Sequence, residues 1–241
     1  MKYPFLKLIL FLVFILNTYC NFVKENIIIT LTKDNTVYIN DEINEESISK
    51  AIYKIVHTKD QDIYIYIDSF GGNVKQGNRF IEVIEYYSKK KKIYCIASYA
   101  ASMAFIILQK CPFRYATSTS ILMQHNIKVS SIDNNNKNIK NYVEYVDDLE
   151  NYLIEQQIKR INMEKNKFIE LVRNDWWISG NQAIKINVID KLVIVGCDTK
   201  IDDTYELTTY ETINNNMMKI IKIFSYCPLI KKPISIIYNK L

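Results

Sequence analysis

Histidine and glycine are both scarce in this sequence, with two and five occurrences among 241 residues, and each scarcity narrows the chemistry open to it. Only His57 and His125 are available as imidazole bases. Three of the five glycines crowd into Gly71, Gly72 and Gly77, yet no Gly-Lys-Ser/Thr follows them, which excludes a phosphate-binding loop. The five cysteines (Cys20, Cys95, Cys111, Cys197, Cys227) are scattered and form no CxxC pair, so neither a zinc site nor a disulfide scaffold is expected, and buried thiols are. No metal and no cofactor is called for. A long apolar run is also missing. The longest, Leu6–Leu16 broken by Lys7, is too short to cross a bilayer, which needs about 20 residues.

The net charge of +5 does not make this a nucleic-acid binder. Lys2 and Lys7 lie in the first 20 residues, and five lysines without an acid lie in residues 215–241, so the intervening body carries −2. The basic start, short apolar run and polar break have the form of a secretory signal over residues 1–20. An uncleaved signal anchor is the alternative, and membrane contact is expected only through this segment. Residues 21–34 form an N-terminal segment, 35–196 the folded domain and 197–241 an extension. Met217, Met218, Ile220, Ile221, Ile223 and Phe224 stand near lysines at its end and point to an amphipathic helix.

Within the body, strand and helix signals alternate, which predicts an α/β fold. Val37–Ile39 reads as a short strand, and Ile48, Ala51, Ile52, Ile55 and Val56 have helical spacing. Ile63–Ile67 and Ile93–Ala97 are apolar at successive positions, as strands covered on both faces are. Residues 113–116 and 121–123 read as two short strands, and 126–139 as a loop. A long helix from about 140 places Tyr142, Val146, Leu149, Leu153, Ile158 and Ile161 on one stripe. Ser179 and Gln182 fit a capping box, and 188–195 a closing strand.

The glycine cluster follows a buried strand and precedes a helix, a place where backbone N–H groups approach a ligand oxygen unhindered by Cβ. Ser102 sits where the next strand gives way to a helix, so it is a helix cap or a nucleophile. A serine nucleophile needs a base. His57 ends a surface helix, whereas His125 follows the strand Ile121–Met123 at the mouth of a loop, and is the better placed.

Read together, these segments resemble the proteolytic subunit of the Clp peptidase family. IYIYIDSFGGNVKQG at 63–77 is similar to its glycine turn, and Ala100-Ala101-Ser102-Met103 to its nucleophile motif. SILMQH at 120–125 matches the strand ending in its histidine, and SGNQAIKINVID at 179–190 the closing segment. The resemblance implies a crotonase-like spiral of βαβ units with a long handle helix. It implies a seven-membered ring, of this chain alone or mixed with homologues, that docks a AAA+ Clp unfoldase. It also implies Ser102 as nucleophile, His125 as base, and the N–H groups of Gly72 and Met103 as the oxyanion hole.

The departures bear on activity. The family's acid position falls on Leu171, which cannot orient an imidazole, and the preceding arginine is Glu170. Asp175 matches a second acidic position and is the candidate substitute. Ser98, Ala104 and Phe70 replace two glycines and a proline, and the loop after His125 lacks its usual Gln-Pro and Gly-Gly. The expectation is therefore a ring subunit of low or no activity, a paralogue of the ClpR type. An active serine endopeptidase using Asp175 is the alternative, and a crotonase-like acyl-CoA enzyme a more distant one. With a composition biased to A/T-rich codons, the leader points to a complex plastid, the apicoplast, reached through the secretory pathway, with another secretory lumen as the alternative.

Overall fold

In a computed structural model of the chain, the structure describes residues 27–128, 139–198, 204–213 and 216–240. The leader and Cys20 lie outside these, as does most of the loop after His125. Helices and strands alternate: β1 (Ile27–Leu31), β2 (Thr36–Ile43), α1 (Glu45–His57), β3 (Asp62–Gly72), α2 (Val74–Tyr87), β4 (Lys92–Ala101), α3 (Met103–Lys110) and β5 (Phe113–Gln124). Then come α4 (Ile139–Ile161), α5 (Lys165–Arg173), β6 (Trp176–Ser179), α6 (Gly180–Lys185) and β7 (Lys191–Cys197). Three more strands, β8 (Thr204–Ile213), β9 (Asn216–Ser225) and β10 (Ser235–Lys240), complete the described chain.

The body is an α/β fold around one sheet of order β1-β7-β5-β4-β3-β2, with all neighbours parallel and β6 added antiparallel to β5. Ile63, Ile65 and Ile67 of β3 and Ile93 and Cys95 of β4 are fully buried on the helix-covered side. Phe80 and Ile84 of α2 and Phe105 and Leu108 of α3 close over them. The other face carries a smaller cluster, Leu31, Tyr66, Ile96, Tyr115 and Val193, flanked by Tyr38, Tyr64 and Tyr94. Helix starts follow the local chemistry: Asn44 and Ser47 form a capping box, Asn73 accepts from Gln76 N–H at 3.1 Å, and Ser179 and Gln182 form the box expected of them.

Three expectations are corrected. Residues 113–124 form one strand, not two, because Ser120 Oγ donates to Ala97 O at 2.6 Å and accepts from Thr117 N–H at 2.8 Å, carrying β5 through an irregular stretch. Four cysteines are joined in pairs, Cys95–Cys111 and Cys197–Cys227, and are not free thiols. Cys95 in β4 and Cys111 after α3 are brought to a Cα separation of 6.0 Å by one strand-to-helix crossover, which needs no CxxC spacing. The tail is a three-stranded antiparallel sheet, β10-β9-β8, and not a helix. Its β-branched isoleucines favour the pleated surface, and cross-strand pairing with 204–213 and 235–240 outweighs its weak helical spacing. Besides the Cys197–Cys227 link, Lys231 pairs with the buried Asp68 of β3, and Lys33 lies 4.5 Å from the Tyr226 ring centre.

A buried guanidinium fixes the middle of the body. Arg114 at the start of β5 is 1 % exposed. It donates to Asp190 Oδ1 through Nε (3.2 Å) and Nη2 (2.6 Å) and to Gln109 Oε1 (2.8 Å), while its backbone N–H reaches Asp190 Oδ2 at 2.8 Å. Arg160 of α4 approaches Asp190 Oδ2 at 3.3 Å. Burial alone would raise the Asp190 carboxyl, but the bonds from Arg114 and the charges of Arg114 and Arg160 outweigh it and hold it below its usual value.

Asp190→Ala, which leaves the buried guanidinium unpaired, is expected to cost about 3–5 kcal/mol in denaturant unfolding. The wild-type contribution has a definite pH window. With the folded carboxyl below its ordinary 3.8, the stabilisation is complete above that value and is lost as pH falls through the lower folded value. Acid unfolding of wild type against the variant should show their difference shrinking only there.

Candidate functional site

Two parallel strands carry the candidate nucleophile and base to the same end of the sheet. β4 and β5 pair in register through Ala100↔Leu122 and Ala101↔Met123, so Ser102 and His125 emerge side by side from adjacent strands. Ser102 N–H donates to Met123 O at 2.9 Å, fixing the nucleophile turn to the strand that leads to the histidine. At that turn Ser102 has φ 56° and ψ −122°, a strained conformation for a residue with a Cβ. Its hydroxyl makes no capping bond to α3, so helix capping is not the reason for a serine here. A strained serine between strand and helix is the geometry that pushes a nucleophilic oxygen out of the chain.

The strain is accommodated by Gly71. A Cβ built there would meet Ala101 O and Ser102 Cβ, each at 2.7 Å, and its φ of +101° already disfavours any other residue. Gly71 also donates its N–H to Ser69 Oγ at 3.1 Å, which anchors the turn in β3. Gly72, at φ +144°, is packed instead against Ile43, where a Cβ would come 2.5 Å from the carbonyl oxygen. Gly77 is small for a third reason, since the Met103 side chain fills the space beside it. Met103 opens α3, and its N–H is one of the first-turn donors without an intrahelical acceptor. Gly72 also borders a cleft of about 800 Å³ whose other walls include Val74, Ile127, Lys128, Tyr142 and Leu149.

His125 directly follows β5, with its side chain only 12 % exposed. Its Nδ1 is buried and lacks a hydrogen-bond partner. Asp175 is its neighbour by sheet register: Gln124 pairs with Trp176 in the antiparallel β5–β6 ladder, which sets Asp175 beside His125. The Asp175 Oδ1 to His125 Nδ1 distance is 3.8 Å, beyond hydrogen-bonding range, so it counts as a weak charge contact and not a bond. Asp175 is 46 % exposed and shares the same oxygen with Lys128 Nζ at 3.9 Å. Burial, reinforced by Lys128, pushes the imidazole below its usual value, and the opposing charges of Asp175 and Glu150 do not reverse this. The ring is therefore neutral near pH 7, the form that accepts a proton. No hydrogen bond links the Ser102 hydroxyl to the ring; catalytic hydrogen bonds of this kind commonly tighten only when substrate binds.

Leu171 sits half-buried in α5 and packs against the main core. The α5 residues lining the cavity at His125 are Phe168 and Val172, one helical turn apart, with Leu171 rotated about 100° from Val172. His57 is a surface residue, as expected, stacked on Tyr53 with Nδ1 2.8 Å from Tyr53 O. Among the described residues no cluster of three His, Cys, Asp or Glu side chains is placed to hold a metal ion. The sequence marks Gly71 as part of the glycine turn but does not single out its packing against Ser102, nor Lys128 or Glu150. Glu150 was accessible in principle, since it lies three and four residues before the buried Leu153 and Ile154 and so shares the inner face of α4.

A family model described as Clp protease matches residues 21–195. Among curated proteins, an "ATP-dependent Clp protease proteolytic subunit 1" of Chlamydia felis is 28 % identical over 180 residues, covering 72 % of this chain and 88 % of that protein. An "ATP-dependent Clp protease proteolytic subunit" of Borrelia garinii is 21 % identical over 169 residues, covering 68 % and 87 %.

Proposed function

The chain belongs to the Clp protease family, and from that premise we propose that it is a ring subunit of an ATP-dependent Clp protease whose own serine-peptidase activity is low. In this reading Ser102 attacks the peptide carbonyl, His125 takes its proton through Nε2, and the Gly72 and Met103 N–H groups receive the oxyanion. One observation carries the reading: a strained turn at Ser102 is present while the imidazole nitrogen that an acid should hold is buried without a hydrogen bond. Leu171 at the acid position supplies no acceptor. The imidazolium formed on proton transfer then has no carboxylate bonded directly to it, and no acid in direct contact fixes which nitrogen of the neutral ring carries the proton. The second reading, an active enzyme with Asp175 as the acid, is favoured by the 3.8 Å approach and opposed by the competing Lys128.

Turnover of a short fluorogenic peptide by the purified full chain should lie at least about 10³-fold below that of a subunit with an intact triad. Ser102→Ala should abolish what remains. A wild-type rate equal to intact subunits, lost in Ser102→Ala, would overturn the low-activity reading in favour of Asp175.

Assembly follows from α4. Leu153, Ile154 and Ile161 are buried in the subunit, but Tyr142, Val143 and Tyr145 near its start are 40–61 % exposed, an apolar patch that a neighbouring subunit would cover. We place this chain in a seven-membered ring, alone or with active homologues, that docks a AAA+ Clp unfoldase. Sedimentation should find ring-sized particles for the chain alone or mixed with such a homologue; monomers under both conditions would refute it.

Residues 1–20 are read as a cleaved signal, 21–34 as a lead-in, 35–196 as the protease domain and 197–241 as an added unit, with delivery to the apicoplast through the secretory pathway. The family match beginning at residue 21 supports the first boundary. N-terminal sequencing of the native protein should start after about residue 20. An intact Met1 on most molecules counts against it.

A further inference from the structure

His125 lines a cavity of about 20 Å³ together with Gln124, Glu150, Gln157, Leu153 and Val172. A space of about 10–15 Å³ on this measure admits one water, provided it is offered two to four polar partners. This wall offers them. Gln124 and Gln157 are almost wholly buried and joined to each other at 2.6 Å, Gln157 donates on to Leu153 O at 3.0 Å, and Gln124 Oε1 accepts the His125 backbone N–H at 3.2 Å. Glu150 reaches the same space from α4. Its Oε1 accepts Ile127 N–H at 2.6 Å, two residues beyond the histidine, so the carboxylate is held at a fixed place relative to the ring. The buried, unpartnered Nδ1 of His125 is the remaining polar group.

We propose that one water in this cavity accepts the Nδ1–H of His125 and donates to the Glu150 carboxylate, making Glu150 the positioning residue that replaces the missing acid. The inference rests on His125 being the base of the proposed site. It deepens that reading by naming what orients the base. With the proton kept on Nδ1, the Nε2 lone pair faces outward to receive the Ser102 proton. Three charged groups face the ring. Asp175 Oδ1 lies 3.8 Å from Nδ1 and 3.9 Å from Lys128 Nζ, so the charges of Asp175 and Lys128 partly cancel, and neither residue lines the cavity. Glu150 alone borders the cavity. Its negative charge also opposes the downward pull of burial on the imidazole.

The test uses the full-length chain with ¹⁵N-histidine NMR and a fluorophosphonate probe for Ser102. Glu150→Gln keeps an oxygen for Ile127 N–H and removes only the charge, so it tests the relay even if Glu150→Ala does not fold. In wild type the proton should reside on Nδ1. In Glu150→Gln the tautomers should mix, the imidazole should titrate lower, and Ser102 labelling should slow by on the order of 10-fold, the scale of losing a partner of a catalytic ligand. Asp175→Asn should leave tautomer and labelling nearly unchanged. An unaltered tautomer and rate in Glu150→Gln overturns the proposal, as does a loss confined to Asp175→Asn. Absence of labelling in wild type removes Ser102 as a nucleophile, and the Nδ1 tautomer in wild type against Glu150→Gln then still decides for or against the relay.

Discussion

A guanidinium cannot be buried unpaired, and the demand that Arg114 makes at the start of β5 organises the elements around it. Asp190 comes from the segment before β7, Gln109 from α3, and Arg160 shares Asp190 from α4. The knot thereby sets β5 against three neighbours at one end. His125 leaves the other end, where β5 is in register with β4 and Ser102 N–H is bonded to Met123 O. Removing charge from the knot would disturb the fold, and through β5 the relation of His125 to Ser102. The charged knot and the Ser102–His125 neighbourhood lie at opposite ends of β5.

The position that the resemblance assigns to an acid is filled here by a packing residue. Leu171 rests half-buried on the core of a helix whose Phe168 and Val172 are also buried, so an apolar side chain there adds packing and creates no unpaired charge. An acid in the same place would have to be desolvated to serve the imidazole. A feature that is costly to keep is present, the strained Ser102, beside two glycines with positive φ. Strain of this kind costs about 1–3 kcal/mol and persists only where surrounding structure imposes it. Gly71, wedged against Ser102, is part of that structure.

What could be read from the sequence was whatever short-range pattern determines. Runs of Ile and Tyr gave the buried strands, the Gly71-Gly72 pair gave a turn, and Ser179 with Gln182 gave a helix start. Ser102 and His125 stood at strand ends, and the antiparallel β5–β6 pairing sets Asp175, the candidate substitute acid, beside His125. The remainder depends on distant parts of the chain. Cys95 meets Cys111 only after a crossover, and residues 216–225 become a strand only because partners on both sides pair with them. Helical spacing puts Glu150 on the inner face of α4, but its bond to Ile127 N–H depends on a loop distant in sequence.

The Cys197–Cys227 link changes the topology of the added unit. Residues 198–226 form a closed ring of covalent bonds with the disulfide, not a free arm, and Lys231 just beyond is pinned to Asp68. A single backbone cut anywhere between the two cysteines would therefore yield two fragments that still travel together, separating only when the sulfur bridge is reduced.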